Sequence, residues 1–168
     1  MTDPQPADKK AAPKEPPKPP PITATELEWL DSALGLDRFF AAWSPDGIQK
    51  LLPTFKLKAY PKGSEIVREG EVGSEMFVLY KGTVAVRRKR FLFGSKLVGH
   101  LKPGDFFGEV GFLVNAPRSA TVVALEDAQA FSWGASDMHK VLEQNEEAAR
   151  KLESVARDRI ARLSGAEV

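Results

Sequence analysis

The chain has no cysteine and only two histidines, His100 and His139. The first absence excludes a disulfide framework and thiolate chemistry, and it fits a reducing compartment. The second leaves too few imidazoles for the His-rich ligand set of a metal enzyme built on β strands. No apolar run approaches the length of a bilayer span, and the N-terminus lacks the hydrophobic region that directs secretion. An excess of one charge is missing as well, because 24 Lys and Arg stand against 23 Asp and Glu, for a net charge of +1. That balance gives no bulk electrostatic case for a nucleic acid or an acidic membrane as partner. Together these absences predict a soluble, cytoplasmic protein with no membrane span and no bulk electrostatic draw to nucleic acid. Its 168 residues suffice for one domain with its own core.

Proline is concentrated at one end, with eight of the 13 prolines in residues 1–21 beside Asp, Lys and Glu and almost nothing apolar. Such a stretch buries too little surface to offset its ordering entropy. Residues 1–22 are therefore expected to be a disordered tail with extended polyproline character from Pro16 to Pro21. A Pro-rich run can dock in a partner's aromatic groove, although a solvated leader is the simpler reading.

Residues 23–54 read as an N-terminal helical segment. Thr25 and Glu28 make a capping box ahead of Leu27, Leu30 and Leu34 at helical spacing, and Gly35 is a natural stop. Ser44 and Pro45 restart a helix as cap and first-turn proline, and Pro53 ends it. Trp29, Phe39, Phe40 and Trp43 are too many aromatics to leave in water, so this segment must pack on the rest of the domain or on a partner.

Over residues 55–135 the texture changes to short β-rich runs punctuated by glycine. Strands are expected at 55–59, 65–68, 76–80, 83–90, 96–101, 120–124 and 128–133. Many short strands with turn signals between them predict an antiparallel roll, jelly roll or barrel rather than a parallel sheet. The fold class is thus α+β, mainly β, with helices at both ends. The basic cluster Arg87 to Arg90 precedes a hairpin tip, where positive charge commonly guards an edge. The apolar tip Phe91-Leu92-Phe93 is less comfortable in water and is a candidate contact for a partner or a second copy.

Residues 136–168 read as C-terminal helices. Ser136 or Asp137 caps one helix reaching about Leu142. Asn145 caps another, in which Ala148, Leu152, Val155, Ala156, Ile160 and Leu163 form an apolar stripe. Periodicity alone leaves open whether that stripe packs on the roll, pairs in a homodimer or moves.

The chemistry concentrates in residues 106–122. A short helical turn over residues 108–113 would leave unpaired N–H groups at its start, a favourable place for an anion. Pro117 forces an extended approach to the strand beyond, so Arg118 would stand at a strand start within reach of the same anion. Glu109 would repel a phosphate and is better explained as an acceptor for a ligand hydroxyl, as acidic residues accept from ribose in dinucleotide folds. The same two residues would equally make a surface salt bridge contributing about 0–1 kcal/mol.

Phe107-Gly108-Glu109, followed at the right separation by Pro117-Arg118-Ser119-Ala120-Thr121-Val122, resembles the phosphate-binding cassette of the cyclic-nucleotide-binding domain family. The turn segments Tyr60-Pro61-Lys62-Gly63, Arg68-Glu69-Gly70 and Leu101 to Glu109 resemble the same family, so the likeness covers roughly residues 36–163, within one domain spanning about 23–163. The resemblance implies a non-catalytic receptor for cAMP or cGMP that needs no cofactor. It implies a ligand site of Gly108, Glu109, Val110, Gly111, Arg118, Ser119 and Ala120, and a terminal helix that closes over the base and regulates an unidentified protein partner. A member that keeps the fold as an interaction scaffold and binds no nucleotide is the alternative. With the chain ending at Val168, the helix-turn-helix of the family's DNA-binding branch is not expected. Members selective for cAMP usually carry alanine directly after the cassette arginine and those selective for cGMP carry threonine. Ser119 departs from both, which implies that both nucleotides bind.

Overall fold

The first helix, α1 (Ala24–Leu36), starts one capping box earlier than the spacing of Thr25 and Glu28 suggests. The Thr23 backbone N–H and hydroxyl both donate to Glu26 Oε2 at 2.9 Å, and the Glu26 N–H donates back to Thr23 Oγ1 at 3.3 Å. Two overlapping boxes compete here, and the residues before them decide. With Thr23 as cap, Ile22 and Leu27 pack against the same core cluster, which is the arrangement of a hydrophobic staple. Gly35 does not stop the helix, which runs on to Leu36. These contacts come from a computed structural model that describes residues 21–36, 45–90, 93–109, 111, 116–147, 149–150, 153–154, 157–158 and 161. The tail expected over residues 1–20, the cap at Ser44, the aromatics Phe39, Phe40 and Trp43, the tip residues Phe91 and Leu92, Val110 and the apolar stripe of the last helix lie outside the described residues.

Helix α2 (Pro45–Leu51) runs into a single 3-10 turn, Leu52–Thr54, with Pro53 inside it. Eight strands follow: β1 (Lys56–Tyr60), β2 (Glu65–Val67), β3 (Glu75–Lys81), β4 (Val84–Lys89), β5 (Ser95–Leu101), β6 (Phe106–Phe107), β7 (Thr121–Ala124) and β8 (Ala128–Gly134). They form two four-stranded antiparallel sheets, ordered β1-β8-β3-β6 and β2-β7-β4-β5, which is the expected mainly β roll. The pair of phenylalanines in β6 has no alternation to mark it as a strand, and its pairing with Phe77 and Val78 on β3 appears only in the fold. Gly82 shows what the turn glycines do: its φ is +86°, and a Cβ there would lie 2.8 Å from the Asp127 carbonyl oxygen.

Strand β3 is buried on both faces. Met76 and Val78 join Leu30, Leu34, Phe131 and Trp133 beneath the helices, whereas Phe77 and Leu79 join Val84, Val122 and Ala130 between the two sheets. Strand β8 divides in the same way, with Ala128 and Ala130 inside the roll and Phe131 and Trp133 under the helices. Small residues keep the interior thin, and the large rings fill the layer outside it. Trp29 of α1 lies edge-on to Tyr80 at 4.7 Å and stacks on Phe131 at 6.0 Å, so this aromatic packs on the roll.

Helix α3 (Ala135–Leu142) begins on Gly134 in extended conformation with no side-chain cap, so Ser136 and Asp137 fall inside its first turn. The Ala135 N–H donates to the Ser74 carbonyl at 2.7 Å, and Met138 is fully buried, which fixes α3 to the start of β3. Phe93 at the β4 to β5 hairpin is 89% exposed, and Arg87, Lys89 and Arg90 beside it are exposed too. Among the described residues, no helix is long and apolar enough to cross a membrane.

The placement of the cap is testable. Thr23→Ala should cost about 1 kcal/mol in urea unfolding, whereas Thr25→Ala should be neutral or slightly stabilising, since it only improves helix propensity. Equal losses at both positions would contradict the assigned cap. The Glu26 carboxyl is held below its ordinary value first by the Thr23 backbone N–H and then by the Thr23 hydroxyl. Its contribution is therefore complete above the unfolded glutamate pKa and is lost as pH falls through the lowered folded value.

Candidate functional site

The chain reaches Arg118 through Pro117 in an extended segment that precedes β7, so the arginine stands three residues before the strand rather than at its first position. Its backbone is fixed on both sides. The Arg118 N–H donates to the Glu71 carbonyl at 2.8 Å, and the Gly70 N–H donates to the Arg118 carbonyl at 2.9 Å. With the backbone clamped, the side chain turns inward and is only 7% exposed. Its Nη1 donates to the Gly108 carbonyl and its Nη2 to the Glu75 carbonyl at 2.5 Å.

Burying a guanidinium is costly unless charge-assisted hydrogen bonds replace its water. Here two backbone carbonyls from different elements accept from it. Burial pulls the Arg118 pKa below its ordinary value, and the nearby Glu109 and Glu75 carboxylates oppose that pull. An arginine remains charged under such opposing shifts. Glu75 bonds Arg118 through its backbone carbonyl, while its carboxylate is bonded by Lys58 Nζ on β1 at 2.7 and 2.9 Å and acts on the guanidinium only through space.

Gly108 does not belong to a helical turn. Its φ of +87° is left-handed, and the turn begins at Glu109, with Gly111 also helical. The positive φ brings the Gly108 carbonyl round to Arg118. A Cβ at this position would lie 2.8 Å from Arg118 Nη1 and 3.1 Å from the Glu75 carbonyl oxygen. Glu109, the next residue, is 2% exposed and lies beside the guanidinium at the same end of the site.

These groups close one end of a cavity of about 340 Å³ whose other walls are apolar, among them Val67, Val86, Leu101, Phe107 and Val122. The size falls in the range of small-molecule sites, and the lining has the usual form of apolar walls with a few convergent polar groups. Of the residues expected at the ligand site, Gly108, Glu109, Gly111, Arg118, Ser119 and Ala120 line this cavity. What the sequence did not indicate is the wall opposite. Strand β5 carries a bulge, because Val86 pairs with Gly99 while Arg87 pairs with Leu97. The extra residue, Val98, is thereby turned to the cavity mouth, where it is 48% exposed. The Glu75 carbonyl and Gly73, both against the guanidinium, also went unread, since a backbone acceptor and a missing side chain leave no residue-type signal.

Residues 57–145 match the model of the cyclic nucleotide-binding domain family. The cAMP-dependent protein kinase regulatory subunit of Mycosarcoma maydis is 41% identical over 75 residues, which cover 45% of this chain and 14% of that protein. The potassium/sodium hyperpolarization-activated cyclic nucleotide-gated channel 2 of Mus musculus is 32% identical over 124 residues, covering 74% of this chain and 14% of the channel. The chain thus spans about one seventh of the length of either relative. The regulatory domain of Toxoplasma gondii PKA, solved with cAMP, superposes with a TM-score of 0.68 at 22% identity, covering 71% of this chain and 45% of that one. At that identity the likeness is one of fold.

Two glycines with left-handed φ separate the crowding around Arg118 from ordinary backbone strain. Gly104 has φ +95° with nothing within 4 Å of where a Cβ would stand, whereas Gly108 has both strain and close neighbours. Alanine at either should cost about 1–2 kcal/mol for the backbone alone. Gly108→Ala should lose roughly a further 1 kcal/mol or more through overpacking. Urea unfolding of the two variants checks this, and equal losses would mean that the carbonyl and guanidinium do not confine Gly108.

Proposed function

The chain belongs to the cyclic nucleotide-binding domain family, and from that premise we propose that it is a non-catalytic receptor module that takes cAMP or cGMP into the cavity beside Arg118. The observation that carries this reading is a buried arginine and a buried glutamate side by side at one end of an otherwise apolar cavity. A cyclic nucleotide has the matching distribution of chemistry: an anionic phosphodiester, a ribose hydroxyl and a flat base.

In this reading Arg118 neutralises the cyclic phosphate as a charge-assisted donor already seated before the ligand arrives. Backbone N–H groups of residues 108–111, Val110 included, supply further donors to the same oxygens. Glu109 accepts from the ribose 2′-OH, which explains a carboxylate beside an anion site. Ser119 and Ala120 line the cavity next to the arginine, and the apolar strand walls shelter sugar and base. A family of regulatory relatives, together with a site of binding groups, supports a receptor rather than an enzyme.

Binding is coupled to regulation of a protein partner through the C-terminal helices. The start of β3 connects the two regions, since the Glu75 carbonyl accepts from Arg118 while the adjacent Ser74 carbonyl accepts from Ala135 of α3. Met138 anchors α3 in the core, so the part free to respond lies beyond Leu142, where Glu146, Glu147 and Arg150 are exposed. A protein kinase is the class of partner that the regulatory-subunit relatives suggest, and a soluble, cytoplasmic setting is part of the same proposal. The terminal helix is also the surface on which a homodimer would form.

Competition binding against a fluorescent cyclic nucleotide tests the assignment. Arg118→Ala should cost about 2–5 kcal/mol, the range for truncating one side of a buried charged pair. That is a loss of roughly 30-fold or more in affinity. An unchanged Kd would remove Arg118 from the site. In the same assay, Ser119→Ala should move the cAMP to cGMP ratio toward cAMP by no more than about tenfold, the net worth of one neutral hydrogen bond. A ratio that does not move would take Ser119 out of base selection.

A further inference from the structure

Three glycines surround the Arg118 side chain, and they are glycine for different reasons. Gly108 needs its left-handed φ of +87°. Gly111 is confined by the Ala116 carbonyl oxygen, which would lie 3.0 Å from a Cβ, as well as by Arg118 Cδ at 3.2 Å. Gly73 lies outside the left-handed region, so any residue could adopt its backbone. A Cβ at Gly73 would meet Nε, Nη2 and Cζ of Arg118 and overlap the guanidinium. The three nearest atoms that such a Cβ would meet all belong to Arg118, so the space its guanidinium takes favours glycine at this position.

The loop that carries Gly73 cannot easily back away. It is tied to Arg118 at Gly70, Glu71 and Glu75, through two backbone hydrogen bonds and the Nη2 contact. A side chain at position 73 would therefore displace the flexible end of Arg118 rather than the loop. We propose that Gly73 is a positioning residue of the anion site: its missing side chain is the seat that holds the Arg118 guanidinium against the Glu75 and Gly108 carbonyls and aims its remaining N–H groups into the cavity. This rests on the cyclic-nucleotide reading for its ligand, but the seat itself is a property of the free protein. A preorganised first contact depends on such supporting groups.

The test uses Gly73→Ala in the full chain. Binding of cAMP and of cGMP should weaken by at least about tenfold, since a displaced guanidinium forfeits much of its contact with the phosphate. The unfolding midpoint should fall by less than that of Gly108→Ala, because position 73 carries no left-handed strain and the flexible end of Arg118, not the loop, gives way. In an Arg118→Ala background the same substitution should have no further effect on affinity. Without any ligand, the Nε–H resonance of Arg118, identified by its loss in Arg118→Ala, should move in Gly73→Ala to the position of a solvent-exposed arginine. Affinity within twofold of the wild type, an equal loss in both backgrounds, or an unmoved Nε–H resonance would overturn the proposal. Should Gly73→Ala fail to fold, recovery of folding in the double variant would support the clash with Arg118, and no recovery would overturn it. A wild type that binds neither nucleotide would defeat the ligand assignment, while the Nε–H resonance would still decide the role of Gly73.

Discussion

The seat of the Arg118 guanidinium is the interaction on which the rest of the site depends. One nitrogen donates to the Gly108 carbonyl at the cassette turn and another to the Glu75 carbonyl at the start of β3, so a single cation ties two elements that are distant in sequence. Burial opposes the charge, and Glu109 and Glu75 offset that opposition. The charge is thereby held in a water-poor place before any anion arrives, and ordering a long flexible side chain has already been accomplished in folding. Were Arg118 a free surface side chain, each binding event would have to fix it anew.

The roll supplies the geometry that makes this seat possible. Alanines of β8 on the interior face keep the two sheets close, and Phe131 and Trp133 on its other face pack beneath the helices. Strand β3 is buried on both sides and is correspondingly rigid, which gives the Glu75 carbonyl a fixed position. Across the cavity, the bulge at Val98 places an apolar side chain at the mouth without interrupting the ladder beyond it. The polar end is therefore set by the cassette and β3, and the apolar wall by strands of the second sheet.

How much of this was legible depended on whether a feature has a residue-type signature. The glycine-punctuated strands did, and seven of the eight were readable to within a residue or two of their ends; β6, two phenylalanines long, was not. The cassette did as well, because Gly108, Glu109 and Arg118 are unusual residues at unusual spacing, and all three face the cavity. The helix start was misjudged by one capping box because Thr23 and Thr25 both carry the pattern, and only packing of Ile22 and Leu27 on the core distinguishes them. Sequence likewise placed Arg118 at a strand start, within reach of an anion or of Glu109. Its actual carbonyl partners are backbone groups that every residue possesses, so no pattern of side chains could have named Glu75 or Gly73.

The central claim is that this seated cation and its apolar cavity receive a cyclic nucleotide. Isothermal titration of the full chain with cAMP and with cGMP tests it most directly. The account predicts saturable binding of one nucleotide per chain and a negative heat-capacity change as the apolar walls are covered. Absence of saturable heat from either nucleotide at two temperatures up to about 1 mM, a binding free energy of only about −4 kcal/mol, would contradict it.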